Sequence, residues 1–561
     1  MQIFRTGKQV TQAVKNVQRL RAILGVFGRH GLQEFLIRMG LERHLSASAK
    51  EEGVENRTLP ERLRMAFEHL GPTFVKLGQL LSNRPDMIPE NFIDEFKKLQ
   101  DNVAPLPFEA IRTQIEKELG GKISDFFSEI HAEPLASASI GQVHAAKLLD
   151  GSDVVVKVQR PDIDHTIKQD ISILSFLAAM MEKYLPETKF LSPQQIVEEF
   201  SRALHYELDF VIEANTMIRF AENARGNSKV VIPKVFRKLS GKRVLTMERL
   251  HGARITDLAA VKAMGINPRD LVDIGARAFF KNVMIDGLFH GDLHGGNVFA
   301  MKNPETGEAQ IGVIDFGIVG RLSQKSRDSF SRMVLALVSE DYETLCYEYA
   351  ELGASGTGID FDAFQREVRN TLSPYVGAAL KDVNAGAILI EATKIAVRYS
   401  IKIPGDWMVV FKAIFTLEGM GRQLDPDFDL LAIGSDLVKT VLKDRYSFQR
   451  ITKDFAWLAR DVNALLQVAP RQIRWMFRKF NANDFAFEIK FKEVEVIRRQ
   501  MERSFRGLGL AILTAALFMA AAMSLQMQSG HFVFTYYPLP SILFFSMGLI
   551  GFLGLILRSW R

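Results

Sequence analysis

The chain has almost no cysteine. Cys346 stands alone in 561 residues, which excludes an internal disulfide and a cysteine-rich metal site and suits a reducing compartment. It also lacks a strong charge of one sign: 71 Lys and Arg face 65 Asp and Glu, a net +6. No basic stripe carries interleaved aromatics, so no nucleic-acid partner is expected. Residues 1 to 24 scatter charges through short apolar runs, and no signal peptide is read there. No internal repeat is evident. What remains is a globular composition, 47% hydrophobic and 24% charged, in a chain long enough for two or more cores. A pI near 9.1 fits contact with an anionic membrane surface.

The chemistry concentrates in His290-Gly291-Asp292-Leu293-His294-Gly295-Gly296-Asn297 and, after an apolar run, Ile314-Asp315-Phe316-Gly317. Phosphoryl transfer needs a carboxylate for the nucleophile's proton, here Asp292. It also needs an amide and a second carboxylate, here Asn297 and Asp315, to hold Mg²⁺ on the phosphates of ATP. Protein kinases share this D-x-x-x-x-N spacing followed by D-F-G. Turn caps and a strand end would explain each section alone, but two sections in this order favour a nucleotide and magnesium site.

Upstream, residues 131 to 160 read as a β-unit. Ala136, Ser137, Ala138 and Ser139 form a small-residue turn that allows close backbone approach to phosphates. Lys157 follows on a strand, where a kinase holds the α- and β-phosphates. After a helix at 162 to 184, Leu191-Ser192-Pro193 reads as a helix start, and the next helix runs through Glu198 to Asn215; a kinase requires one glutamate there to fix the lysine, and several acids qualify. Val230 to Pro233 and Arg243 to Leu250 complete the small sheet, with Met247 and Glu248 at an inter-lobe hinge beside the nucleotide. Residues 267 to 289 read as helix. After Gly317 the chain enters a helix with no activation segment and no A-P-E, and Gly291 stands where many protein kinases place Arg. Both gaps turn the reading from peptide substrates toward a small-molecule phosphotransferase or an ATPase.

The flanks are helical. Residues 8 to 45 carry Leu20, Ile23, Leu24, Phe27, Leu32, Phe35 and Leu36 on one face and Arg19, Arg21, Arg29 and Arg38 on the other. Such a helix can lie on a membrane, but packing on its own domain is the commoner use. Between Gly71 and Ser82, Phe74, Leu77 and Leu81 share a face while Lys76 and Gln79 share another. Residues 324 to 507 read as mostly helical, with turn signals at Gly353 to Gly358 and Asp425 to Asp427. Leu508 to Leu525 and Leu539 to Leu557 contain no charge, and each has the ~18–20 apolar residues that span a hydrocarbon core. Phe532, Phe534, Tyr536 and Tyr537 between them suit an interface belt. Arg498, Arg499, Arg503 and Arg506 before the first span, and Arg558 and Arg561 after the second, put both ends in the cytoplasm.

Over residues 55 to 450 the sequence resembles the UbiB family of atypical kinase-like proteins (the ADCK group). Lys76-Leu77-Gly78-Gln79 matches its K-x-G-Q, the Ala/Ser loop at 136 to 139 replaces a Gly-rich loop, and Glu207-Leu208-Asp209 matches its E-x-D. The C-terminal spans also look like those of bacterial UbiB proteins. The resemblance implies that Lys157 pairs with Glu213. It implies that Lys76 and Gln79 reach toward Glu207 and Asp209, laying the extension where a peptide would sit. Asp292 would be the catalytic-loop acid, Asn297 and Asp315 metal ligands, and ATP and Mg²⁺ the cofactors. Gly291 and Gly295 depart from the Ala and Pro frequent in relatives, with no side chain lost from the metal.

The expected fold is α+β: a two-lobed protein-kinase-like fold with an N-terminal helical extension and two C-terminal transmembrane helices. Its segments are an amphipathic helix (1–54), the K-x-G-Q extension (55–130), an N-lobe (131–250), a C-lobe (251–450), a helical linker (451–507) and a membrane hairpin (508–557). The resemblance implies a Mg²⁺- and ATP-dependent ATPase supporting ubiquinone (coenzyme Q) biosynthesis at the bacterial inner membrane, with its kinase-like domain in the cytoplasm. Membrane lipids, polyprenyl quinone intermediates and other ubiquinone-biosynthesis enzymes are the expected partners. A small-molecule or lipid kinase and a non-catalytic ATP-binding scaffold are the competing readings.

Overall fold

A computed structural model describes residues 2–42, 56–82, 84, 87–99, 103–186, 188, 192–353, 360–372, 384–445, 492–525, 532–533 and 537–559. It divides into two units, 1–450 and 451–561, each taken by itself. In the first, α1 (Gln2–Arg29) and α2 (Gln33–Arg38) replace the single helix expected over 8–45. Gly31 between them has φ 74°, a left-handed backbone that glycine adopts freely. Next come α3 (Leu59–Leu70), α4 (Pro72–Ser82), α5 (Glu90–Phe96) and α6 (Phe108–Leu119). Thr58 starts α3 with a capping box, its N–H donating to Glu61 at 2.7 Å, which satisfies an otherwise orphaned helix-end donor.

Strands β1 (Phe127–Ser137), β2 (Gly141–Leu148) and β3 (Asp153–Gln159) follow, β1 beginning within the expected helical extension. Helices α7 (Ile163–Tyr184), α8 (Pro193–Glu207) and α9 (Phe210–Asn223) come next. The helix expected across Glu198 to Asn215 is therefore broken, because Asp209 turns extended and accepts from the Val211 N–H as the N-cap of α9. Strands β4 (Val230–Val231) and β5 (Val244–Glu248) follow. Only β5 joins the antiparallel sheet β1-β2-β3-β5. The expected partnership of β4 fails, since Val230 pairs in parallel with Ile311 in a second sheet.

That second sheet, β4-β9-β8-β6, is built with β6 (Ala253–Arg254), β8 (Val298–Lys302) and β9 (Ala309–Val313). Before β8 lie α10 (Leu258–Ala263), α11 (Pro268–Lys281), a π-helical turn (Asn282–Asp286) and β7 (Leu288–His290), so the last residues of the helix expected to reach 289 are a π-turn and strand. β10 (Val319–Arg321) pairs with β7. The remaining helices of this unit are α12 (Gln324–Val338), α13 (Tyr342–Leu352), α14 (Phe361–Leu372), α15 (Ala385–Arg398), α16 (Gly405–Leu424) and α17 (Leu430–Arg445). Most of the turn signal at 353 to 358 lies outside the described residues.

Packing cuts across the segment boundaries expected from sequence. Ile23 and Leu24 of α1 share one core with Phe74 and Leu77 of α4, Ile167 of α7 and Phe200 of α8, so this amphipathic face packs within its own unit. Arg19, expected on the polar face, instead makes a bidentate ion pair with buried Asp170 of α7 at 2.7 and 3.0 Å. Helix α6 lies on the first sheet, its Ile111 and Ile115 packing with Val154, Val156 and Val158 of β3. Alternation along β3 sends these valines to one face and leaves Lys157 on the other.

The second unit holds α18 (Lys492–Leu525), β11 (Phe532–Val533), β12 (Tyr537–Pro538) and α19 (Leu539–Ser559). Residues 451–491, most of the expected linker, lie outside the described residues. The two helices pack together: Ser541 Oγ donates to the Ala521 carbonyl at 2.8 Å, and the Phe518 and Phe545 rings meet edge-on at 5.5 Å. Among the described residues one helix, α18, is long and apolar enough to cross a membrane, through Leu508–Leu525 with mean hydropathy 2.2. The apolar stretch of α19, Pro540–Leu553, is shorter, so the expected second span does not meet the same criterion.

Candidate active site

Lys157 lies mid-strand in β3, in register with Val143 and Leu245. Because Asp209 restarts the helix, Glu213 falls in the first turn of α9. Lys157 Nζ donates to Glu213 Oε1 and Oε2 at 2.8 and 2.9 Å and lies 3.7 Å from Asp315 Oδ1. The Phe210 ring sits 5.2 Å from the ammonium, a cation–π contact. Burial acts to lower the lysine pKa, but Asp315 and Glu213 outweigh it and keep Lys157 charged. Burial pushes Glu213 upward against the pull of Lys157.

Asp315 has φ 61°, a backbone that Asp tolerates better than most residues. Such strained positions cluster at functional sites. Its Oδ1 accepts from the Gly317 N–H at 3.2 Å. The Lys157 ammonium pulls its carboxyl down to about 2. His290 Nε2 donates to the Asp315 carbonyl at 2.7 Å, and its Nδ1 accepts from the Asp292 N–H at 3.1 Å. One neutral tautomer satisfies both bonds, and burial lowers the His290 pKa to favour that form. Asn297 Nδ2 donates to the Asp292 carbonyl at 3.2 Å, which leaves its amide oxygen as the acceptor for a cation.

Among the described residues no group of three or more His, Cys, Asp or Glu could enclose a metal. The donor set nevertheless suits Mg²⁺, which usually takes one or two protein oxygens and completes its shell with water and phosphate. The Asp315 carboxylate is 52% exposed, and Lys157 holds it deprotonated. Asp292 meets a partner that local sequence did not indicate: Lys412 Nζ of α16 donates to its Oδ1 at 2.8 Å. Helix α16 also explains Gly291, since a Cβ there would lie 2.6 Å from Val409 and 2.9 Å from Ile318. The arginine of many protein kinases has no room at this position.

Ala136 and Ser137 belong to β1, so the turn proper is Ala138 to Ile140. Arg160 fastens it by donating to the Ala138 carbonyl, Ser137 Oγ and the Ala104 carbonyl, each at 2.9 Å. Ser139 Oγ is buried without a protein hydrogen-bond partner, a polar group that a ligand could satisfy. Met247 is buried near the end of β5, and Glu248 accepts from the Lys234 N–H at 3.1 Å.

The expected contacts of the K-x-G-Q motif separate. Lys76 pairs with Glu207 at 3.4 Å, whereas Gln79 Nε2 donates to the Leu99 carbonyl at 3.2 Å and Asp209 caps α9. Phe210, Arg160 and Lys412 went unrecognised in the sequence. The first two adjoin a motif and a strand end that could have marked them. Lys412 carries no local signal.

The family model for the ABC1 atypical kinase-like domain matches residues 98–349, that for the UbiB helical domain 368–429, and that for the ABC1/UbiB kinase-like C-terminal domain 492–561. A Marinobacter nauticus protein named "Probable protein kinase UbiB" is 35% identical over 74% of this chain and 77% of its own length. The chain belongs to the ABC1/UbiB family. A Xylella fastidiosa protein of the same name is 32% identical over 89% of this chain and 90% of its own, and one from Pseudomonas aeruginosa is 32% identical over 81% and 86%. An alignment of 505 residues is long enough that it must include both sheets and the helical segment that carries Lys412. The fold is a kinase-like mixture of helix and sheet.

Proposed function

We propose that this protein is a membrane-bound, Mg²⁺- and ATP-dependent kinase-like ATPase that supports ubiquinone biosynthesis. The observation that carries the reading is Lys157 held between Glu213 at 2.8 Å and Asp315 at 3.7 Å. A cation fixed in this way can take the nucleotide phosphates, while Asp315 and Asn297 hold the metal. The metal would neutralise charge developing on the phosphates. Asp292 orients the attacking hydroxyl or water, His290 fixes the backbone of both aspartates, and Lys157 keeps Asp315 anionic. Absence of an activation segment, with α16 packed against the catalytic loop, favours hydrolysis or a small acceptor over a peptide.

Ubiquinone enters through the UbiB relatives, and the membrane through the second unit. Leu508, Ile512, Leu513, Met519 and Met523 of α18 are all more than half exposed, an apolar surface that a bilayer would cover. We read α19 as the returning span; Arg498, Arg499, Arg503 and Arg506 before Leu508, with Arg558 and Arg561 after Leu557, favour a bacterial cytoplasmic side for both ends. Polyprenyl intermediates partition into that bilayer, so nucleotide turnover at its surface could present them to the other ubiquinone-biosynthesis enzymes.

The test is ATP hydrolysis by the purified full chain in lipid vesicles. Wild type should turn over ATP, with Asp315→Asn reduced by at least about 10–100-fold, the cost of losing even an outer-shell partner of a metal. Equal rates in the two proteins, or no hydrolysis by wild type with any lipid, would overturn the proposal.

A further inference from the structure

The catalytic loop of this chain has no permanent cation of its own. His290 to Asn297 includes neither Lys nor Arg. His290 is buried with both ring nitrogens bonded to backbone, and His294 turns its Nδ1 back to the Gly296 N–H at 3.1 Å. Asp292 would stand beside nucleotide phosphates, where a second negative charge is unfavourable without a counter-ion. A cation does reach it, from 120 residues away: Lys412 Nζ to Asp292 Oδ1, 2.8 Å.

The approach is built by packing. Val409, one turn before Lys412 on α16, closes on Gly291 immediately before Asp292. On the other flank of Lys412, Phe411 and Ala413 are fully buried, and Val410 and Ile414 share their core. The helix is thus locked against the C-lobe while Lys412 turns to the site. Lys412 and Asp292 retain 27% and 31% exposure. A group with that access can meet solvent-borne reactants, unlike an ion pair sealed in the core.

We propose that Lys412 is a positioning residue of the phosphoryl-transfer site: the helical segment supplies the cation that orients Asp292 and balances its charge. The proposal rests on the nucleotide reading above and extends the site to a helix outside the loop. It makes Gly291 and Lys412 two parts of one arrangement, glycine admitting the helix and lysine using the approach.

The experiment has two arms on the full chain in lipid. In steady-state ATP hydrolysis, Lys412→Met should lose about tenfold or more in kcat with KM for ATP changed by less than about twofold, and Lys412→Arg should keep most of kcat. Combined with Asp292→Asn, Lys412→Met should cause little further loss, as expected for residues acting as a unit. In the nucleotide-free protein, hydrogen exchange of amides 291–297 should rise in Lys412→Met and return toward wild type in Lys412→Arg. An unchanged kcat in active protein overturns the proposal. So does unchanged loop exchange, or exchange that rises along 405–424 and not in the loop, which would assign Lys412 to helix packing. If wild type hydrolyses no ATP, the proposed function falls while the exchange arm still decides the role of Lys412.

Discussion

Two ion pairs meet at this site and are built in opposite ways. Lys157 and Glu213 lie 56 residues apart on β3 and α9, with Glu213 only 5% exposed and Asp315 as a third charge. Lys412 and Asp292 lie 120 residues apart, each near a third exposed. The first is a largely buried pair with Asp315 at its exposed edge; the second is an open contact delivered by a packed helix. Burial makes the first costly to break, while solvent access limits the second mainly to an effect on reaction geometry. Stability should therefore follow the lysine of the strand, and turnover the lysine of the helix.

The largest expected effect on stability is at Glu213. Glu213→Ala leaves Lys157 with Asp315 as its remaining close partner, and breaking such a buried pair costs about 3 kcal/mol. The measurement is the thermal midpoint together with binding of a fluorescent ADP analogue, and both should fall well below Lys412→Met. A variant as stable as wild type would erase the contrast between the pairs.

Gly291→Arg sharpens the other side. It restores the residue common in protein kinases but drives a side chain into Val409 and Ile318, an overpacking that costs about 1–3 kcal/mol. Loss of stability with α16 displaced in a crystal structure or by hydrogen exchange is expected; a stable variant with Lys412 still on Asp292 would contradict the packing account.

How far these features were legible follows from where their partners lie. Asp292, Asn297 and Asp315 keep fixed spacing within one short stretch, and Lys157 sits on a strand with simple alternation, so sequence carried them. The break at Asp209 was not legible because the stretch through Glu198 to Asn215 reads as one helix, and no local pattern shows that Asp209 leaves the helical conformation to cap α9. β4 was misplaced for a related reason: two residues, Val230 and Val231, can extend either sheet, and the parallel partner Ile311 lies far along the chain. Lys412 was invisible because its role depends on the tertiary placement of α16, which no local pattern encodes. Gly291 was noticed as a missing arginine, but the helix occupying its space was not.

Asp209 gives a smaller test of that distinction. Asp209→Ala should cost about 1 kcal/mol through the lost cap, and Asp209→Asn only a few tenths, since asparagine caps nearly as well. Chemical unfolding curves of the two variants check this. Equal losses would mean that the charge of Asp209, and not its acceptor, is what matters.

Cys346 is the mildest case and lies away from both pairs. Burial raises its thiol pKa from 9.0 to about 12, only partly offset by Arg369. The folded protein thus holds this proton more tightly than the unfolded chain, so the linked stability is complete below pH 9.0 and is lost as pH rises through about 12. Iodoacetamide at mildly alkaline pH should leave the native thiol unmodified and label it after denaturation; rapid labelling of native protein would contradict its burial.

The most direct test of the central claim is quinone content in cells lacking this protein, complemented with wild type or Asp315→Asn at equal membrane levels. The account predicts that wild type restores ubiquinone and Asp315→Asn does not, because the site must hold metal and nucleotide. Full rescue by Asp315→Asn, or unchanged quinone after deletion, would contradict it.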